Sequence, residues 1–93
     1  MFSISIHEKT REFLDKLPEK VQRATREHLL AFREDPFPRD SEFLTLPGGY
    51  TVYRLHIGRV LTIFYQVNTE EKSVMILKIM TIEQAHKEYR RWG

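Results

Sequence analysis

The chain has 93 residues, 41% of them hydrophobic and 30% charged, the balance of a globular domain and not of a disordered one. Domains run from about 50 residues upward, so one domain over residues 1–93 is expected. The absence of cysteine removes disulfides, cysteine-ligated zinc or iron–sulfur sites and thiol catalysis together. Lys and Arg number 15 against 13 Asp and Glu, and the surplus is C-terminal: residues 1–52 carry 8 basic and 9 acidic side chains, residues 53–93 carry 7 and 4. So small a surplus suits an ordinary solvated surface and, where concentrated, a polyanionic partner.

Phe2, Ile4 and Ile6 alternate with Ser3 and Ser5, the period of a strand with one buried face. The chain reaches Glu8 without an apolar stretch long enough for a signal peptide or a membrane span, so a cytoplasmic location and no membrane partner are expected. From Glu8 the period becomes helical: Thr10, Phe13, Leu14 and Leu17 form one face, with Glu8, Glu12 and Lys16 on the other. That helix ends at Leu17. Pro18 opens a second helix, where its missing N–H is no loss, and the stripe Val21, Ala24, His28, Ala31, Phe32, flanked by Leu29, runs to Glu34. The segment Asp35-Pro36-Phe37-Pro38 stops it.

Phe43-Leu44-Thr45-Leu46 leads into Pro47-Gly48-Gly49, a strong turn signal. Residues 52–57 then alternate Tyr53, Leu55 and Ile57 against Val52, Arg54 and His56. Gly58-Arg59 connects to residues 60–67, the most continuously apolar and β-branched run, expected to be the central strand. Residues 68–72 are a polar hairpin loop, residues 73–80 the last strand, and residues 82–92 a short C-terminal helix or tail. The fold class is therefore α+β: an N-terminal strand, an antiparallel two-helix hairpin, then an antiparallel sheet of three further strands. Two helices can cover only one face of that sheet, and the other face would carry Arg54 and His56.

The histidines, His7, His28, His56 and His86, show no metal-ligand spacing, and Glu83 with His86 is half of a motif that needs a second copy. No metal and no cofactor are expected. His28 reads as the edge of an apolar stripe, its ring nitrogen on water or a backbone carbonyl. There is no nucleophile elbow, P-loop or dinucleotide fingerprint. What remains is cationic and aromatic: Arg54 and His56 on one strand face, and His86, Lys87, Tyr89, Arg90, Arg91 and Trp92 at the end. Cations that hold phosphates beside an aromatic that stacks on a base suit single-stranded RNA.

The run Tyr53-Arg54-Leu55-His56-Ile57-Gly58-Arg59, followed by Ile63-Phe64-Tyr65-Gln66-Val67 and Val74-Met75-Ile76-Leu77-Lys78-Ile79, resembles the sheet of the RelE/ParE superfamily of toxins from type II toxin–antitoxin systems. The resemblance extends over most of the chain. The first strand, the Leu17-Pro18 break between two helices and Tyr89 all stand where that family has its counterparts. Each motif is loose; their order and spacing carry the match.

The resemblance implies a cognate antitoxin that wraps the protein and blocks its basic face. The superfamily contains ribosome-dependent mRNA endonucleases, gyrase poisons and members without catalysis, so fold alone does not choose the activity. In the RelE-like nucleases, basic residues on the second strand orient RNA and assist proton transfer. An arginine on the third strand stabilises the phosphate, and an arginine and tyrosine near the C-terminus complete the site. Arg54 and His56 match the second-strand positions, and Tyr89 the terminal tyrosine. The third-strand arginine is not matched: counting back from Tyr65 puts Thr62 there, and counting forward from Gly58 puts Leu61 there. Thr81-Ile82 replaces the usual His-Arg after the last strand. A one-residue slip would exchange the faces of a strand and make Arg59, Lys78 or Arg90 the substitutes.

The reading is thus a toxin that inhibits translation by metal-independent mRNA cleavage, with antitoxin, ribosome and mRNA as partners. Arg54, His56 and Tyr89 are its candidate catalytic residues, and Arg59, Lys78, Lys87, Arg90 and Arg91 its candidate RNA contacts. The rivals are a ParE-like gyrase inhibitor acting by binding alone and a degenerate member that only binds antitoxin.

Overall fold

The computed structural model of the chain describes residues 1–81, 83 and 84. Its elements are β1 (Ser3–Ile6), α1 (Glu8–Asp15), α2 (Glu19–Ala31), β2 (Glu42–Thr45), β3 (Thr51–Ile57), β4 (Leu61–Asn68) and β5 (Ser73–Thr81). The strands form one sheet in the order β1-β5-β4-β3-β2, which makes β4 central, as its apolar run predicts. Strands β2 to β5 pair antiparallel. The first strand joins the last in parallel, Ser3 opposite Ser73 and Ile6 opposite Ile76.

The sheet has one more antiparallel strand than the three expected. Residues 43–46, read as a lead-in, belong largely to β2, because Gly48 and Gly49 adopt φ of 89° and 85°, a region L side chains rarely enter, and turn the chain back sharply. The Leu46 N–H donates to the Tyr50 carbonyl across that turn (2.6 Å). Phe43 then stands opposite Tyr53, and Glu42 opposite Arg54.

Helix α1 buries Thr10 and Leu14, and the Thr10 hydroxyl donates to the Leu77 carbonyl (2.8 Å), tying the helix to β5. It stops two residues short of the expected Leu17: Lys16 and Leu17 donate back to the Phe13 and Leu14 carbonyls as a tight last turn. Helix α2 turns Thr25, Leu29 and Phe32 inward, a line rotated from the expected stripe. Thr25 can lie inside because its hydroxyl donates to the Val21 carbonyl (2.8 Å), while His28 is exposed with Nδ1 on the Ala24 carbonyl (2.9 Å). A hydrogen-bonded turn through Asp35, not helix, follows Ala31.

The helices cover one face of the sheet. Leu14, Leu29 and Phe32 pack on Leu55, Ile57, Leu61, Ile63, Tyr65, Val74, Ile76 and Ile79 in one core. Tyr65 sits at its centre between the rings of Phe32 (4.5 Å) and Tyr53 (5.6 Å), and its hydroxyl donates to the Pro36 carbonyl (2.8 Å). Burial pushes its phenol up to about 12.

Candidate functional site

On the face away from the helices the strand register builds two rows. Glu42 of β2, Arg54 of β3, Phe64 of β4 and Lys78 of β5 are successive partners in one; His56, Thr62 and Met80 are partners in the next. Register also decides which residue neighbours His56 on β4. Thr62 does, while Leu61 lies in the helix-side core. A bulge opposite Phe64 and Tyr65, with Leu77 as the extra residue, keeps Lys78 in the row of Arg54 and returns Ile76 to the core.

This face is not bare. Val52, Phe64 and Met80 are buried in a small second cluster, with Leu44, Leu46 and Leu77 against it. The cations stand around that apolar floor. The Arg54 side chain retains only 18% exposure and forms an ion pair with Glu42. His56 is exposed, and its Nδ1 lies 2.9 Å from Oγ1 of Thr62, a side chain sealed from solvent. With Nδ1 engaged, Nε2 is the nitrogen left for a ligand.

Arg54, His56 and Lys78 are therefore brought onto one face. Arg59 is exposed in the β3–β4 turn, next to Gly58 with φ of 58°, beyond the end of the His56 row. Tyr89, Lys87, Arg90 and Arg91 lie outside the described residues. Thr81 of the Thr81-Ile82 pair serves a structural purpose: its hydroxyl accepts from the Gln84 N–H (3.1 Å) while the Gln84 side chain accepts from its N–H (3.0 Å), a reciprocal capping box. The spacing Thr-x-x-Gln was the signal for it. Glu42 and Thr62 join the site without having been chosen as site residues, since only strand pairing reveals them. Among the described residues no three His, Asp or Glu side chains converge as metal ligands, and no helix is long and apolar enough to cross a membrane.

No protein-family model matches the chain, nor does any curated protein. Solved structures do. The RelE–RelB complex of the archaeon Pyrococcus horikoshii OT3 contains a chain that superposes with a TM-score of 0.75 at 28% identity, over 86% of this chain and 93% of that one. The chain is RelE-like. Two more distant structures share the fold. The RelBE2 toxin–antitoxin complex of Mycobacterium tuberculosis matches with a TM-score of 0.73 at 19% identity, over 86% of this chain and 96% of its own. The isolated RelE toxin of E. coli matches with 0.72 at 17% identity, over 98% of both chains. Set beside the open face, the RelE-like frame places Arg54 and His56 on its second antiparallel strand, with a buried threonine on the third.

Proposed function

We propose that the chain is the toxin of a type II toxin–antitoxin pair, acting in the cytoplasm by cutting mRNA on the ribosome without a metal. The observation that carries this reading is Arg54 and His56 side by side on the face away from α1 and α2, the imidazole held at Nδ1 and exposed. The RelE-like fold supports it, as do similar chains solved in complexes with RelB or in a toxin–antitoxin assembly; the partner here is a cognate antitoxin that covers the same face.

Attack by a 2′-oxygen on the adjacent phosphorus forms the O2′–P bond and breaks the P–O5′ bond. One proton leaves the 2′-hydroxyl and one reaches the 5′ oxygen. An imidazole can take or give such a proton near neutral pH; among the described residues of this face, His56 is the group with that chemistry. Arg54 holds the phosphate, whose non-bridging oxygens gain charge as the reaction proceeds, and a phosphate arriving there competes with the Glu42 carboxylate. Lys78 and Arg59 add cations along the path of the strand. Tyr89 stacks on a base or lends its hydroxyl, and Lys87, Arg90 and Arg91 extend the RNA contact.

The test is a reconstituted translation reaction read by primer extension on the mRNA. Cleavage by the wild type that falls with His56→Ala and Arg54→Gln supports the nuclease; intact message on ribosomes saturated with the protein sinks it. One observation favours a second reading, a toxin that works by binding DNA gyrase. Both residues counted to the expected third-strand arginine, Leu61 and Thr62, are sealed and uncharged, and each preorganised donor of that kind contributes about 2.7–4 kcal/mol to such a transition state. Growth inhibition that survives His56→Ala, with DNA-damage signalling and no mRNA cleavage, decides for it.

A further inference from the structure

Resting on the nuclease reading, we infer that Thr62 is the positioning residue for His56, its Oγ1 accepting from Nδ1–H so that Nε2 is the atom exchanging a proton with RNA. The two residues are direct cross-strand partners on β3 and β4, and their side chains meet at 2.9 Å between Nδ1 and Oγ1. Thr62 is sealed completely, while the imidazole it touches is exposed. The contact thus has one end fixed inside the protein and the other at the surface. That is the arrangement required of a group that orients another without itself meeting the substrate.

The chemistry of a hydroxyl suits the task. In proton transfer through Nε2 the ring alternates between an imidazolium and the neutral form protonated at Nδ1. Both carry a hydrogen on Nδ1, so Oγ1 accepts throughout and the ring need not turn between steps. The other neutral form, protonated at Nε2, has no lone pair there and cannot remove a proton from a 2′-hydroxyl. Thr62 is also stiff about χ1 because it is branched at Cβ. Among the described residues, its place between His56 and Met80 leaves no other group of its own row to compete for Nδ1. Among the described residues, the charged side chains facing this pair are Arg54 on the same strand, Glu42 beyond it on β2 and Lys78 on β5, all in the neighbouring row. The departure from the arginine that the resemblance leads one to expect on the third strand is, on this account, an exchange of a direct phosphate contact for control of the histidine.

The experiment compares wild type, Thr62→Val and Thr62→Ser. Long-range ¹H–¹⁵N correlation spectra of His56, recorded with the ring neutral, report the tautomer without any turnover. Wild type and Thr62→Ser should show the hydrogen on Nδ1, and Thr62→Val should move it to Nε2. In the mRNA cleavage assay, Thr62→Val should lower kcat on the order of 10- to 100-fold, below the 10²–10⁴ that a general acid–base group itself supplies, with KM little changed and Thr62→Ser within about 3-fold of wild type. Thermal unfolding checks that both variants fold. A wild-type tautomer on Nε2, or one that Thr62→Val leaves unchanged, overturns the inference whatever the activity. An inactive wild type whose tautomer nonetheless depends on Thr62 sinks the nuclease reading and leaves the positioning contact standing.

Discussion

The two faces of the sheet are made from the same strands and do opposite things. On the helix side, alternate residues of β3, β4 and β5 are buried against Leu14, Leu29 and Phe32 in a single apolar core, and the buried hydroxyls of Thr10, Thr25 and Tyr65 are each matched to a carbonyl. On the other side, among the described residues, Val52, Phe64 and Met80 are the buried apolar side chains, and Arg54, His56 and Lys78 stand around them. The contrast teaches that the main core lies on the helix side, while on the second face the small cluster puts Phe64 and Met80 in the rows of Arg54 and His56. Stability and chemistry are thereby separated by the period-2 alternation of a strand.

That separation can be broken most severely from the core side. Ile63→Ala, at a fully buried position between helices and sheet, should lower unfolding free energy by about 2–5 kcal/mol, measured by urea denaturation. His56→Ala, seven residues earlier on the opposite face, should leave the same urea midpoint shifted by no more than about 0.5 kcal/mol while abolishing most mRNA cleavage. Comparable losses of stability from both would show that the faces are not independent.

A smaller effect sharpens the picture of the core. Tyr65→Phe removes a hydroxyl that donates to Pro36 and should cost about 1 kcal/mol at neutral pH. Because burial raises the phenol from 10.0 to about 12, the folded state holds that proton more tightly than the unfolded chain. Its contribution is complete below pH 10 and is lost as pH rises towards about 12. The stability gap between wild type and Tyr65→Phe should therefore shrink over that interval, as read by denaturation at pH 9 and pH 11.5.

The smallest change is expected at the ion pair. Glu42→Gln removes the carboxylate paired with Arg54, so on the nuclease reading RNA binding should tighten by roughly 2- to 5-fold at low salt and less at high salt. Stability should move by less than about 1 kcal/mol, because the Glu42 side chain is half exposed. Weaker binding in this variant would mean that Glu42 aims Arg54 at its ligand.

The division of the sheet into two faces was legible in the letters: Tyr53, Leu55 and Ile57 against Val52, Arg54 and His56 is what the structure shows. Local periodicity carries that much because the alternation of a strand is a property of the strand itself. What crosses strands was not legible. Counting from Tyr65 and from Gly58 put different residues, Thr62 and Leu61, at the expected position of the third-strand arginine, and only pairing shows that Thr62 stands opposite His56. Glu42 could not be found because β2 is four residues long and its partner is set by a turn. In α2 the inward line passes through Thr25 and not His28, since a threonine can satisfy its hydroxyl on its own helix backbone and then pack as an apolar residue. The parallel pairing of β1 with β5 joins segments 70 residues apart, beyond the reach of any local pattern.

That last pairing bears on when the protein can exist at all. Residues 3–6 have no place in the sheet until residues 73–76 arrive beside them, and closing so long a loop is slow compared with forming a hairpin. During synthesis, then, the helices and the β3–β4 hairpin with its Arg54, His56 and Thr62 emerge well before the first strand is anchored, and the site is drawn in outline on a scaffold still open at one edge. The architecture makes closure of that edge a late event, set by the arrival of β5.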